Sequence, residues 1–215
     1  MSVIAEYEQI LIGNLDGFSP RYFQFKEKGN EKVALTVYRY AIEELLEWTP
    51  ADAGRFFSLT VTDRMKLTPL LSYIDFPPEI IDVQGQIAYV LHLLYPQQIH
   101  FDFRGYVIGI YTDVLQGKRK YPRDFMYGHK GLLRAEICLQ HILNKEMVFE
   151  SKESLYEFFT FGDIYGFLKK KKLYQLYRSF FDKPLDYLHG SLPEEIRSEF
   201  LYQFYTFARA WKKQP

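Results

Sequence analysis

The chain has 215 residues, with 27 Lys+Arg against 27 Asp+Glu, 47% hydrophobic and 18% aromatic residues, and one cysteine. That hydrophobic share excludes a disordered chain, and one cysteine excludes an intrachain disulfide. No apolar run reaches the roughly twenty residues needed to span a bilayer, and Met1-Ser2-Val3-Ile4-Ala5-Glu6-Tyr7-Glu8 lacks the basic start and apolar stretch of a signal peptide. A cytoplasmic chain without a membrane anchor is expected. The zero net charge hides an asymmetry: residues 18–103 carry eight Lys+Arg against eleven Asp+Glu, and residues 118–213 eighteen against twelve. Such asymmetry marks an anion-binding half or two halves that attract each other.

In chain order, residues 3–12 form an amphipathic N-terminal helix within a leading segment 1–17. Pro20-Arg21-Tyr22-Phe23 is a loop that precedes a long helix. There Ala34, Val37, Tyr38, Ala41, Leu45 and Trp48 fall on one buried stripe, with Arg39, Glu43 and Glu47 facing outward. Thr49-Pro50-Ala51-Asp52 is a helix start, with a hydroxyl N-cap, proline at the first position and an acid in the first turn. Phe56-Phe57, Lys66-Leu67-Thr68-Pro69-Leu70 and the box Pro96-Gln97-Gln98-Ile99 follow. Tyr106-Val107-Ile108-Gly109-Ile110-Tyr111 has strand propensity.

Much of this recurs about a hundred residues later. Pro122-Arg123-Asp124-Phe125 repeats the first loop, and the stripe maps to Ala135, Cys138, Leu139, Ile142, Glu146 and Phe149, with Glu146 alone breaking the apolar pattern. Ser151-Lys152-Glu153-Ser154 matches the capped start, Phe158-Phe159 the phenylalanine pair, and Lys172-Leu173-Tyr174-Gln175-Leu176 the lysine-leucine segment. Pro193-Glu194-Glu195-Ile196 repeats the proline box and opens a helix bearing Ile196, Phe200, Phe204, Phe207, Ala208 and Trp211. By that pairing the Tyr106–Tyr111 segment is expected to be helical. Self-similarity at this period means one structural unit used twice. The reading is an all-α protein of two similar helical units related by internal duplication: an N-terminal helix at 1–17, a first unit at 18–117 and a second at 118–215, joined near Gly117.

The segment Ala34-Leu35-Thr36-Val37-Tyr38-Arg39-Tyr40-Ala41-Ile42-Glu43-Glu44-Leu45, with Trp48-Thr49 after it and the Pro-Arg loop before it, resembles an uncharacterised helical module of Bacillus-like bacteria. Those modules occur in tandem. The resemblance rests mainly on residues 20–49 and implies bacterial origin and tandem architecture, with no reaction attached.

No catalytic signature is present: there is no Gly-x-Ser-x-Gly, no phosphate-binding Gly-rich loop ending in Lys-Ser/Thr and no His-Glu-x-x-His. Cys138 and His141 have a Cys-x-x-His spacing, but Cys138 lies on the buried stripe, so a core cysteine is expected rather than a metal ligand. His92 and His189 each sit four residues before a proline box, where imidazole suits the last turn of a helix, and Gly190 suits a helix stop. Glu43, Glu44 and Glu47 form a solvated face. Gly128-His129-Lys130-Gly131 is a weak one-phosphate motif ahead of a helix.

Two cationic runs occur in the second unit alone. Lys118-Arg119-Lys120-Tyr121-Pro122-Arg123 replaces Asp16-Gly17-Phe18 and its neighbours, and Lys169-Lys170-Lys171-Lys172 precedes Leu173-Tyr174. Lys/Arg clusters neutralise phosphates and exposed tyrosines stack on bases. Four lysines in a row cover every face of a helix, so one must snorkel or the helix must end there. The expected function is a non-enzymatic binding module facing a polyanion such as nucleic acid. Its contacts would be Lys118, Arg119, Lys120, Tyr121, Arg123, Lys169, Lys170, Lys171, Lys172 and Tyr174, with no cofactor and no metal. The alternatives are a protein-interaction or homo-oligomeric assembly subunit and, less favoured, a small enzyme using His92 and His189.

Overall fold

The computed structural model describes residues 1–23, 29–127, 130–146, 158 and 162–192. Their regular structure is helical throughout, with no strand among the described residues. None of the described helices is long and apolar enough to cross a membrane. The chain divides into two compact units, Met1–Asp102 and Phe103–Pro215. The division falls ahead of Gly117, so the helix that begins at Phe103 counts with the second unit.

In the first unit, helix α1 (Val3–Leu11) is capped by Ser2, whose hydroxyl accepts from the Ala5 amide at 3.1 Å. It buries Tyr7 and Ile10 in the unit's core. Helix α2 (Asn30–Tyr40) buries Ala34, Val37 and Tyr38, the first part of the expected stripe. The helix then passes into a π-turn at Ala41–Leu45, where the amide of Leu46 donates to the Ala41 carbonyl at 3.0 Å. A π-turn carries an extra residue per turn and rotates the next side chains about the helix axis. The stripe therefore shifts: Ile42 is buried beside Ala41, while Leu45 is 39% exposed rather than in the core.

Helix α3 (Pro50–Phe56) starts as its sequence dictates. Thr49 and Asp52 form a capping box, the Asp52 amide donating to Thr49 Oγ1 at 3.2 Å and the Thr49 amide to the Asp52 carboxylate at 3.1 Å. The Thr49 hydroxyl bond to Asp52 is the main cause of that carboxyl's lowered pKa. Helix α4 (Leu59–Arg64), a 3-10 turn (Thr68–Tyr73) and α5 (Val83–Leu94) complete the unit. Their core side chains include Leu67, Leu70, Ile87, Val90 and Leu91.

In the second unit, the Tyr106–Tyr111 segment is helical despite its propensity. Helix α6 (Phe103–Leu115) buries Val107, Ile110, Tyr111 and Val114 at helical spacing. Tertiary burial overrides the β-preference of these residues. A 3-10 turn (Arg123–Met126) leads into α7 (Gly131–Glu146), which packs against α6 and buries Ala135, Cys138, Leu139 and Ile142 as expected. Short helices α8 (Ile164–Lys170), α9 (Tyr174–Phe180) and α10 (Pro184–Ser191) come next. Gly190 lies inside α10 rather than stopping it; a Cβ there would come within 2.7 Å of the Glu136 carboxylate. The expected start at Ser151–Ser154, the pairing of Phe159, the position of Phe149 and the helix after Pro193 lie outside the described residues.

The units share several local devices. Helix α1 ends on Gly13 (φ 81) and α6 on Gly117 (φ 74), each with a bond from the next amide to a carbonyl one turn back: Asn14 to Gln9 O at 2.8 Å, Lys118 to Asp113 O at 2.9 Å. Helix α4 ends on Lys66 (φ 54) and α8 on Lys172 (φ 57), with Leu67 to Thr62 O at 2.9 Å and Leu173 to Leu168 O at 2.8 Å. All four are left-handed Schellman ends. In both units a tyrosine of the first helix donates to the carbonyl just before that lysine, Tyr7 to Met65 O and Tyr111 to Lys171 O, each at 2.8 Å.

Candidate polyanion-binding groove

The tetralysine run ends its helix. Lys169 and Lys170 close the last turn of α8, Lys171 is its C-cap and Lys172 takes the left-handed conformation. Lysines at a helix C-terminus also meet the negative end of its dipole. The reversal turns the chain toward the loop after α6, and two phenols hold it there. Tyr111 donates to Lys171 O at 2.8 Å, and Tyr121 to Lys172 O at 3.1 Å.

Beside these bonds lies an open groove of about 1010 Å³. One wall is the loop from Gly117 to Tyr127, the other the end of α8 and start of α9. Six cations line it (Lys118, Arg119, Lys120, Arg123, Lys169 and Lys172), with no Asp or Glu among its described lining residues. Thus two runs some fifty residues apart in sequence meet around one space. Lys170 and Lys171 are not part of the lining; Lys170 is exposed and Lys171 half-buried.

The aromatic residues divide into braces and an exposed ring. Tyr121 is half-buried, its ring 4.7 Å from Phe125 and its hydroxyl committed to Lys172, and burial pushes its pKa up. Tyr174 is also half-buried, with Lys169 Nζ 5.4 Å from its ring centre and Tyr177 6.1 Å away. Tyr127, which no sequence pattern singles out, lines the groove and is 66% exposed.

A second residue missed from sequence is Arg134, on α7 and only 1% exposed. Its Nε donates to Phe125 O at 2.8 Å, and Nη2 reaches Asp124 O at 2.9 Å and Tyr127 O at 2.8 Å. Arg134 thereby fixes the backbone that carries Arg123 and Tyr127. The one signal in the sequence is a charge where the aligned first half has Val33.

The first unit bonds or replaces the cations at the corresponding places. Arg21, in the same Pro-Arg loop position as Arg123, pairs with the buried Glu6 at 2.7 Å. Counting back from the two cap glycines, Ile110 stands where Glu6 does, and Arg123 has no acid partner among the described residues. Lys66 Nζ donates to Ile10 O at 2.7 Å, whereas its counterpart Lys172 lines the groove. Asp63, bonded by the Thr68 hydroxyl, occupies the place of Lys169.

The other candidates have structural surroundings. His92 lies in the last turn of α5 with Nδ1 2.9 Å from Ile99 O, tying the helix to the chain beyond it. His189 lies in the last turn of α10, in the other unit. Cys138 is fully buried, which raises its thiol pKa. Glu43, Glu44 and Glu47 are exposed. The described residues contain no group of three His, Cys, Asp or Glu able to hold a metal. Gly128 and His129 lie outside the described residues.

The described residues form a helical fold with an open, cation-lined groove on one of two compact units. Residues 107–200, which contain all of that groove, are similar to a family described as a protein of unknown function (DUF4046). No curated protein and no solved structure matches the chain.

Proposed function

We propose that the protein is a non-enzymatic binding module whose second unit holds a polyanion in the groove between Gly117–Tyr127 and the end of α8. The observation that carries this reading is the convergence of six cations, without a carboxylate among the described lining residues, on one space. An ion pair at its rim, Lys118 to Asp113 at 3.9 Å, is solvent-exposed. Such a pair is worth about 1 kcal/mol or less, so a phosphate can displace it.

The reading includes an internal duplication, supported by the paired Schellman ends and the paired phenol–carbonyl bonds. In it, Arg21 and Lys66 of the first unit are bonded to Glu6 and to the Ile10 carbonyl, while their counterparts Arg123 and Lys172 line the groove. The setting assumed is the cytoplasm of a bacterium, consistent with one buried cysteine and with the sequence resemblance. Superposing the two units of a crystal structure tests the duplication; helices that fail to match in this order would sink it.

The function is tested by fluorescence anisotropy with labelled single- and double-stranded DNA and RNA across a salt series. Six phosphate contacts predict that log K falls with log salt at a slope of about −4 to −5. Changing Lys118, Arg119 and Lys120 together to Ala is expected to weaken binding and roughly halve that slope. Absence of binding at low salt refutes the reading and moves attention to protein partners or self-association.

A further inference from the structure

We infer that the groove's ligand is single-stranded nucleic acid, with Tyr127 as the platform on which an unpaired base stacks. This rests on the polyanion reading above and adds what the anion must carry besides charge.

Cations alone would suit any polyphosphate. What distinguishes this groove is an exposed ring without an aromatic neighbour among the described residues. The Tyr127 ring meets no other aromatic ring among the described residues, and its hydroxyl makes no hydrogen bond there. Yet its position is held: the Tyr127 carbonyl accepts from Arg134 Nη2 at 2.8 Å, and that arginine is buried. A large apolar surface kept 66% exposed on an anchored backbone, beside six cations, is suited to a ligand with flat apolar faces between its charges. Nucleic acid is such a ligand. In a duplex, each base has both faces covered by its neighbours, so a ring in a groove finds a face only on an unpaired base. Gln175, also in the lining, adds an amide that can donate and accept at a base edge.

The other aromatics of the site are unsuited to the role. The Tyr121 hydroxyl is bonded to Lys172 O and its ring lies against Phe125. The Tyr174 ring carries the Lys169 ammonium. This assigns different work to side chains of one type: Tyr111 and Tyr121 shape the groove, and Tyr127 reads the ligand.

The test uses the full chain and three probes at one salt concentration: labelled oligothymidylate, the same strand annealed to oligoadenylate, and inorganic polyphosphate. The single strand is expected to bind about tenfold more tightly than the duplex. Tyr127→Ala should weaken single-strand binding about tenfold, within the range of one lost stacking contact, and leave the salt slope and polyphosphate binding unchanged. Tyr127→Trp should restore or exceed wild-type affinity, and because Tyr127 is exposed both variants should keep the wild-type circular dichroism. The inference is overturned if Tyr127→Ala binds the single strand as the wild type does, or if duplex or polyphosphate binds as tightly; the polyanion reading then survives. If none of the three probes binds at low salt, both fall together.

Discussion

Arg134 places a full charge in the interior of the second unit, against a desolvation cost of several kcal/mol. Its three bonds to carbonyls contribute about 1.5–3 kcal/mol each, which is enough to offset that cost. The planar guanidinium spreads its donors over Asp124, Phe125 and Tyr127, and a lysine ammonium lacks that reach. Arg134→Lys should therefore lower the melting temperature and weaken polyanion binding together, although the residue lies outside the groove. Arg134→Met, which strands three carbonyls, should cost about 3 kcal/mol or more by urea denaturation. An unchanged denaturation midpoint in both variants would remove Arg134 from this role. The cationic residues of the groove were legible one by one in the sequence, because charge runs stand out against an aromatic-rich background. Arg134 and Tyr127 were not. One is a lone arginine among the charges of α7, which also carries Glu136, Lys145 and Glu146, the other one of eighteen tyrosines, and only burial separates them from their kind.

Within each unit, left-handed helix ends redirect the chain. The left-handed residue that ends α4 and α8 is lysine in both, where glycine would avoid a strain of roughly 1 kcal/mol. Lys172→Gly is expected to raise stability by about that amount while weakening polyanion binding and flattening its salt dependence. Lys66→Gly should gain less, since it also removes the bond from Lys66 Nζ to Ile10 O. Two melting curves and one salt titration check both expectations; a destabilised Lys172→Gly would contradict them. Sequence periodicity located α2 and the buried face of α7 because a stripe of apolar residues repeats at helical spacing. It misplaced Leu45, since a π-turn leaves no mark in composition and moves every later side chain around the axis. Charge alone left two outcomes for the tetralysine run, a snorkelling lysine or a helix end, and gave no direction for the chain beyond it.

The whole molecule rests on buried phenols. Burial pushes the pKa of Tyr7, Tyr38, Tyr121 and Tyr187 up, and Tyr38 and Tyr187 donate to the carbonyls of Leu67 and Ala135. A raised pKa means that the fold favours the neutral phenol. The stabilisation is fully present below the unfolded value of about 10 and is lost as pH rises above it. The melting temperature is expected to hold from neutral pH to about 10 and then fall steeply, with these phenols ionising only as the chain unfolds. A spectrophotometric titration in which all tyrosines ionise near 10 without unfolding would contradict this. Because the core that holds Tyr7 and Tyr38 draws, among the described residues, on residues 1–102, that segment expressed by itself should be helical and melt cooperatively. The all-helical class was legible from pattern and capping signals; the division ahead of Phe103 was not, because it depends on which core α6 joins. The bonds from Tyr111 and Tyr121 to the lysine carbonyls carry one more consequence. They hold the end of α8 against the loop through uncharged groups, so dissolved ions that would compete with a polyanion leave the groove in shape. Near-ultraviolet circular dichroism of the protein alone should be the same in dilute buffer and in molar salt, so that a salt titration of polyanion binding reports the contacts and not the fold.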